Sequence, residues 1–240
     1  MSETLNKRQL WNTLLAAGLT AQGAAGLMGN LYAESGLCPE NLQNSFESRL
    51  HYTDMAYTTA VDNGTYRNFV NDNAGYGLAQ WTHSSRKSAL LAFAKERGCS
   101  IGDADMQVAF LLQELQTFPK VWRVLTSAVS VREASDVVML EFERPADVSA
   151  AARDRRAALG ERFLRTLGDG TLDNKAVSIN STAEVPESLD MQFHMVVAGD
   201  TLTGLAAMYG TTVSDILEKN KAAHPEMTAD LIRVGWFLEV

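Results

Sequence analysis

A helix that contains three glycines constrains this chain more than any other stretch. Apolar residues recur at spacings of three and four between positions 24 and 31, which predicts one buried helical face, and Thr20 is suited to cap its start. Glycine costs about 1 kcal/mol relative to alanine inside a helix, yet this one contains Gly23, Gly26 and Gly29. Some other element must therefore approach the backbone closely, and tight helix packing is the expected reason.

Glu34 falls in the last turn of this helix. A carboxylate there lies at the negative end of the helix dipole, where its charged form is disfavoured, and such an environment suits a general acid. A second stretch, at 72–81, reads Asp-Asn-Ala-Gly-Tyr-Gly-Leu-Ala-Gln-Trp. It predicts a turn that presents an aromatic ring, an amide and an indole together, and such groups bind sugars.

The two stretches together carry a resemblance to a known family. Gly-Leu-Met-Gly-Asn at 26–30, Ala-Glu-Ser-Gly at 33–36, Gly-Tyr-Gly-Leu-Ala-Gln-Trp-Thr at 75–82 and Arg-Lys at 86–87 resemble the phage tail lysozyme family. That family is part of the lysozyme-like superfamily, with goose-type lysozymes and lytic transglycosylases. The resemblance extends over about residues 5–167 and implies a mainly α lysozyme-like domain that cleaves peptidoglycan, with Glu34 as general acid.

A second catalytic carboxylate is left open among three aspartates. Asp72 precedes the Gly-Tyr-Gly-Leu element at nearly the spacing of a water-positioning aspartate in goose-type lysozymes, whereas that family's other aspartate aligns with Thr82. Asp54 and Asp62 lie in the segment expected to form one wall of a cleft. If none of them serves, the substrate's own N-acetyl or 6-hydroxyl group would complete the reaction, as in lytic transglycosylases.

The same turn supplies the candidate substrate-binding residues, which are Tyr76, Gly77, Gln80 and Trp81. Tyr76 and Gln80 are expected to contact the glycan, whereas a tryptophan in this position is more often a core residue. Arg86 and Lys87 are expected to be solvated, with binding of a muramyl or stem-peptide carboxylate as the alternative. Glu143 and Arg144, before Pro145, are expected to form a structural ion pair.

Composition excludes several classes of function. The formal charge of −8 falls unevenly, with 17 Lys and Arg against 19 Asp and Glu in 1–170 and 4 against 10 in 171–240, so nucleic acid is not expected as a partner. The four histidines show no ligand spacing and the two cysteines no nucleophile turn, so we expect no metal and no cofactor. Two cysteines exclude a disulfide framework but not one bridge, and we expect two reduced structural thiols. No signal peptide or membrane span is evident.

Helical patterns continue through the N-terminal part of the chain. They predict helices at 6–17, 84–97, 105–116, 130–142 and 149–167, with a long irregular segment at 38–74. Residues 1–168 are therefore predicted to form the first domain. Residues 169–191 show no period of 2 or 3.6 and are predicted to be a flexible linker, about 25 to 30 Å in root-mean-square span.

Residues 192–240 predict a small α+β domain in the order βααβ. Val-Val-Ala-Gly-Asp-Thr-Leu at 196–202, Tyr-Gly-Thr at 209–211 and Asn220 resemble a LysM module, which binds glycans that contain N-acetylglucosamine. By that resemblance the binding residues lie in two loops, at 199–202 and 229–232. They are Gly199, Asp200, Thr201, Leu202, Leu231 and Ile232.

The combined features predict a phage-type peptidoglycan hydrolase. It would cut the bond between N-acetylmuramic acid and N-acetylglucosamine, act as a monomer, and be made in the host cytoplasm before reaching the wall. A lytic transglycosylase that leaves 1,6-anhydro products is the alternative within enzymes, and a non-catalytic wall-binding tail protein is the alternative outside them. The sequence fits a released endolysin and a virion-borne tail lysin equally.

Overall fold

The structure, a computed structural model, describes residues 5–168, 193–196, 200–221, 224, 226–233 and 236–240. These residues belong to two compact units, one on each side of the predicted linker. The linker itself, at 169–191, lies outside the described residues. In the part of the chain that is described, no helix has the length and apolar character needed to cross a membrane.

The N-terminal unit is mainly helical, as predicted. Its elements are α1 (Lys7–Ala16), α2 (Ala21–Ser35), α3 (Asn44–Leu50), α4 (Asp54–Asp62), α5 (Ser84–Arg97), α6 (Ala104–Gln116), α7 (Pro119–Ser127), α8 (Val131–Val137), a π-helical segment (Val138–Glu143) and α9 (Ala150–Leu167). Helix α2 lies at the centre, and its apolar side chains at positions 24–31 are fully buried. Helices α1, α7, α8 and α9 pack against it.

The three glycines of α2 explain that central position. A Cβ added to Gly23 would lie 2.0 Å from the carbonyl oxygen of Leu125 on α7, and one on Gly29 would lie 2.6 Å from that of Arg156 on α9. Gly26 meets α8 equally closely. The predicted close approach of other helices is confirmed, and so is the Thr20 cap, whose hydroxyl accepts from the Gly23 amide.

The structure differs from the sequence prediction in three parts of this unit. The segment 38–74 is not irregular throughout, because it contains α3 and α4, and a cluster of tyrosines and Phe69 gives α4 a buried face. Helix α7 begins at Pro119, in a stretch for which no helix was predicted; proline is tolerated at a first helical position. The helix predicted at 130–142 changes to π geometry after Val137.

The C-terminal unit has the predicted βααβ order. Strand β1 (Phe193–Met195) pairs antiparallel with β2 (Phe237–Glu239), and α10 (Leu202–Tyr209) and α11 (Val213–Asn220) lie between them in sequence. Thr201 and Thr212 cap the two helices. The strands and helices enclose a small core of Val196, Leu202, Leu205, Ala206, Ile216, Met227, Leu238 and Val240.

The cysteines are free thiols. Cys38 is half-buried, and burial raises the pKa of its thiol. Cys99 is exposed, so the expectation that it serves in packing is wrong. Its exposure follows from its place in the loop after α5, directly behind the left-handed cap Gly98.

Candidate active site

Glu34 lies in the last turn of α2, where the sequence predicted it. Its side chain is 19% exposed, and Oε1 accepts a hydrogen bond of 2.5 Å from Nη2 of Arg156 on α9. Nη1 of the same guanidinium donates to Oε2 of Glu143 at 2.6 Å. One arginine therefore joins two carboxyl groups that come from α2 and from the π-helical segment.

Glu143 is the buried member of this pair, with a side chain that is 3% exposed. Burial, and then the negative charge of Glu34, raise the pKa of the Glu143 carboxyl to about 8, against the opposing effect of Arg156 and Arg86. The expected ion pair with Arg144 is wrong, because Arg144 has a left-handed backbone and donates instead to the carbonyl of Glu141.

Asn30, one turn before Glu34 on α2, holds the guanidinium of Arg156 in place. Its Oδ1 accepts from Nη1 of Arg156 at 3.2 Å, and its Nδ2 donates to the carbonyls of Gly26 and Ser135. Asn30 is fully buried. Because a buried amide with these partners has one orientation, the guanidinium between Glu34 and Glu143 is held in place.

A second ion pair involves Arg86 on α5. Its Nε and Nη2 donate to the two oxygens of Glu114 at 2.6 and 2.8 Å, and its guanidinium lies over the ring of Phe142. The indole N–H of Trp81 also donates to Glu114. Trp81 is fully buried and is therefore a core residue, which was the more common case for a tryptophan in this position. This geometry does not support it as a substrate-binding candidate.

The Gly-Tyr-Gly-Leu turn supports the end of α2. The hydroxyl of Ser35, next to Glu34, donates to the carbonyl of Leu78 at 2.9 Å, and the amide of Leu78 donates to Gln107. Gly77 has φ of 74°, and a Cβ there would lie 2.6 Å from Oε1 of Gln107. The two resembling stretches of sequence are thus joined directly, and the turn has a structural role.

Two of the predicted sugar contacts in this turn differ in accessibility. Tyr76 is fully buried and its hydroxyl shares a hydrogen bond of 2.6 Å with Thr58, so the geometry does not support contact with a glycan. Gln80 is partly exposed, and its Nε2 donates to the side chain and carbonyl of Asn41. Contact between Gln80 and substrate stays a prediction.

Asp72 does not fit the predicted catalytic role. Its side chain is 1% exposed, and Oδ1 accepts from Nζ of the fully buried Lys87 at 2.6 Å. Oδ2 accepts from the hydroxyls of Tyr57 and Tyr66. A carboxylate engaged in this way has no free direction in which to orient a water for attack. Lys87 is likewise buried, so its expected solvation is wrong.

The other two aspartates lie on α4. Asp54, partly exposed, accepts from the amide of Leu42, and burial followed by the charge of Glu47 raises the pKa of its carboxyl, against the opposing effect of that hydrogen bond. Asp62 is exposed but accepts from the Ser100 hydroxyl and the Ile101 amide, which fixes the loop after α5. Asp54 keeps the freer carboxyl of the two.

The predicted glycan residues of the C-terminal unit are spread over different environments. Gly199 lies outside the described residues. Asp200 accepts from His194 at 2.6 Å, Thr201 is exposed, and Leu202 is buried in the core. In the other loop Leu231 is 39% exposed and Ile232 packs partly against the core. The leucine at 202 therefore offers no side-chain surface to a sugar.

Sequence reasoning missed the charged partners of Glu34. Glu143 and Arg156 lie more than 100 residues after it, with no fixed spacing to indicate that they meet. The one available signal was the acidic end of the apolar run Val-Val-Met-Leu-Glu-Phe-Glu at 137–143. Among the described residues, no group of three or more His, Cys, Asp or Glu side chains is placed to hold a metal ion.

Both units of the chain match known domain families. Residues 194–240 match the LysM domain. Morphogenesis protein 1 of Bacillus phage B103 is 26% identical over 175 residues, which cover 68% of this chain and 40% of that protein. The chain therefore spans less than half the length of this relative. Residues 5–167 match the phage tail lysozyme profile, and because this match covers more than half of the sequence, the chain belongs to the phage tail lysozyme family.

Proposed function

We propose that this protein cleaves the peptidoglycan bond between N-acetylmuramic acid and N-acetylglucosamine, with Glu34 as the general acid. The observation that carries the proposal is the position of Glu34, whose partly exposed carboxyl contacts Arg156 and lies beside the buried carboxyl of Glu143. Membership of the phage tail lysozyme family and the LysM match at 194–240 support the choice of substrate.

Exposure separates Glu34 from Asp72. An acid must reach the glycosidic oxygen to within about 3 Å, which Glu34 can do and the buried Asp72 cannot. In the reaction, the Glu34 carboxyl gives its proton to the leaving oxygen as the bond to C1 breaks. The sugar ring is left as an oxocarbenium-like centre that must be stabilised and then attacked.

The attacking group decides between two products. If Asp54 orients a water, the product has a reducing end, as in a muramidase. The burial of Asp72 favours a second candidate, in which the 6-hydroxyl of the muramic acid residue attacks C1 and leaves a 1,6-anhydro end. Mass spectrometry of digested peptidoglycan distinguishes these ends from each other and from cut peptides.

Replacement of Glu34 tests the proposal directly. Glu34→Gln keeps the shape of the side chain but carries no transferable proton, and general acid catalysis supplies about 10²- to 10⁴-fold. We therefore expect lysis of purified walls to fall at least about 100-fold, while the variant still folds cooperatively in thermal unfolding. Glu96→Gln, an exposed position on α5, is the matched control and should keep full activity.

The same experiment tests the alternative that the protein binds the wall without cutting it. If wild-type protein releases no fragments from walls while it still binds them, the catalytic proposal is wrong and binding is the function. If Glu34→Gln retains more than about a tenth of the wild-type rate, Glu34 is not the acid.

We further propose that the LysM unit anchors the enzyme to the wall through neutral sugar contacts. The accessible predicted groups are Asp200, Thr201, Leu231 and Ile232. Because residues 171–240 carry 4 basic against 10 acidic side chains, attraction to an anionic wall would not supply this binding. The protein would act at the wall as a monomer, either as an endolysin or as part of a virion tail.

A further inference from the structure

Glu143 has an oxygen that its surroundings leave unsatisfied. Oε2 accepts from Arg156, but Oε1 is buried and has no hydrogen-bond donor among the residues that the structure describes. Leaving a buried carboxylate oxygen unpaired is costly. Glu34 Oε1 accepts from Nη2 of the same guanidinium whose Nη1 donates to Glu143, which places the two carboxyls side by side, where a hydrogen bond between them forms when one carries a proton. A single proton between the two groups would satisfy this oxygen.

The balance of local charges also indicates one proton on the pair of Glu34 and Glu143. Arg156 is one positive charge between two carboxyl groups, and both carboxyls cannot easily be ionised in a site where Glu143 is buried. Arg86 is already neutralised by two bonds to Glu114. One proton on the pair makes the whole cluster neutral, with members Glu34, Glu143, Glu114, Arg86 and Arg156.

The other charged groups around the π-helical segment do not alter this balance. Lys120 of α7 forms an exposed ion pair with Glu141, and Arg144 donates to a backbone carbonyl. Both lie at the surface, where solvent screens their effect. The buried face of the segment is therefore controlled by α2, α5, α6 and α9, through the five side chains of the cluster.

We propose that Glu143 is a positioning residue of the active site, which shares one proton with Glu34 beside the Arg156 guanidinium and so keeps Glu34 able to act as an acid at neutral pH. The inference rests on the proposed function of Glu34. When the glycosidic oxygen takes the proton, the O–H bond of the pair breaks and an O–H bond forms on the leaving sugar. The two carboxylates then share Arg156 until the attacking water or hydroxyl returns a proton.

The test is the pH dependence of wall cleavage by Glu143→Gln. The amide has nearly the same shape but no charge, and it can donate to Glu34, so both effects favour an ionised Glu34. The alkaline limb of the rate profile should move down by at least about one pH unit, which means a loss of about tenfold or more near pH 7 and recovery of the rate in acid. Glu96→Gln should keep the wild-type profile.

A purely structural role for Glu143 makes a different prediction. It lowers the rate by the same factor at every pH, and this result, or an unchanged profile, would overturn the inference. If Glu34→Gln is inactive while Glu143→Gln keeps the wild-type profile, only the proton sharing is wrong. If Glu34→Gln is active, the proposed function itself is wrong.

A measurement on the unaltered enzyme covers the case in which Glu143→Gln does not fold. Carbon NMR of side-chain carboxyls should show one group of the pair titrating above about pH 6 in the wild type. This midpoint should fall in Glu34→Gln, since the neighbouring charge is then absent. Titration of every glutamate of the wild type below about pH 5 would overturn the proposal.

Discussion

The buried pair of Asp72 and Lys87 provides the sharpest test of the structural reading. Lys87 is fully buried and donates to Asp72 at 2.6 Å, to the carbonyl of Ala74 at 2.8 Å and to Tyr57 at 3.2 Å. Burial lowers the pKa of its ammonium group, against the opposing effect of Asp72. The sequence left Asp72 as one of three candidates for a second catalytic carboxylate, whereas this geometry assigns it to stability.

The expected cost follows from what each substitution leaves behind. Lys87→Met keeps the length of the chain beside Phe69 but leaves the Asp72 carboxylate without its cation. Breaking a buried pair in this way costs about 3 to 5 kcal/mol. Three donors remain on Asp72, namely the hydroxyls of Tyr57 and Tyr66 and the amide of Ala74. We therefore expect the lower end of that range, about 3 kcal/mol.

A double-mutant cycle in urea measures this energy. Asp72→Asn, Lys87→Met and the combined variant should show a coupling of at least about 2 kcal/mol, because the double variant contains no buried charge to leave unpaired. A loss below about 1 kcal/mol in Lys87→Met would refute the reasoning, and so would additivity of the two changes. If Asp72→Asn keeps wild-type stability but loses cleavage of soluble glycan, the catalytic assignment is right after all.

Three further predictions follow from the same structure. Gly29→Ala should cost about 1 to 3 kcal/mol in urea unfolding and lower activity as well, since its Cβ would meet the backbone of α9 beside Arg156. Gly64→Ala, which has open space, should cost about 1 kcal/mol and leave activity unchanged. The pKa of Glu143 is about 8 in the folded protein, compared with an ordinary value of 4.5. Its contribution to stability is therefore largest below about pH 4.5 and falls as the pH rises through 8. In urea unfolding, the wild type should lose up to about 3 kcal/mol relative to Glu143→Gln between pH 4.5 and 7. A fragment ending near residue 170 should fold and cut soluble glycan at the wild-type rate, but its rate on intact walls at low enzyme concentration should fall by up to about 10²-fold. In a pull-down, binding of residues 171–240 to walls should persist when salt is added.

The fold was predictable wherever local physical chemistry decides structure. Caps at Thr20, Ser130 and Thr212 and the left-handed stops at Gly98 and Gly210 are set by residues within one turn, so the helix ends they mark were predicted closely. Helix α4 was missed because its buried face depends on packing of Tyr57 against the rings of Tyr52, Tyr66 and Tyr76 from the neighbouring loops, and α3 has no buried residue that would give it an apolar pattern. Such packing has no period in the sequence.

The candidate site shows the same division between local and distant information. The position of Glu34 was predictable because it depends on one helix. The candidate roles of Asp72 and Tyr76 came from a resemblance and from residue type in one turn, and Trp81 was expected more often in the core. These three are buried. Burial depends on which elements cover a side chain, and here Lys87, Thr58 and Glu114 supply the partners from other helices.

The direction of the Glu143 side chain could not be predicted from the helical period of the sequence. A regular helix continued from Val131 would place successive residues every 100°, but a π-helical turn holds one extra residue and rotates all that follow by about the same angle. The π geometry at Val138–Glu143 therefore changes which face carries Glu143 and directs its carboxyl to Arg156. The distortion is also the feature that brings a second acid to Glu34. Deletion of the exposed Leu140, which would restore α-helical geometry there, should separate the two carboxyls and shift the pH profile in the direction expected for Glu143→Gln.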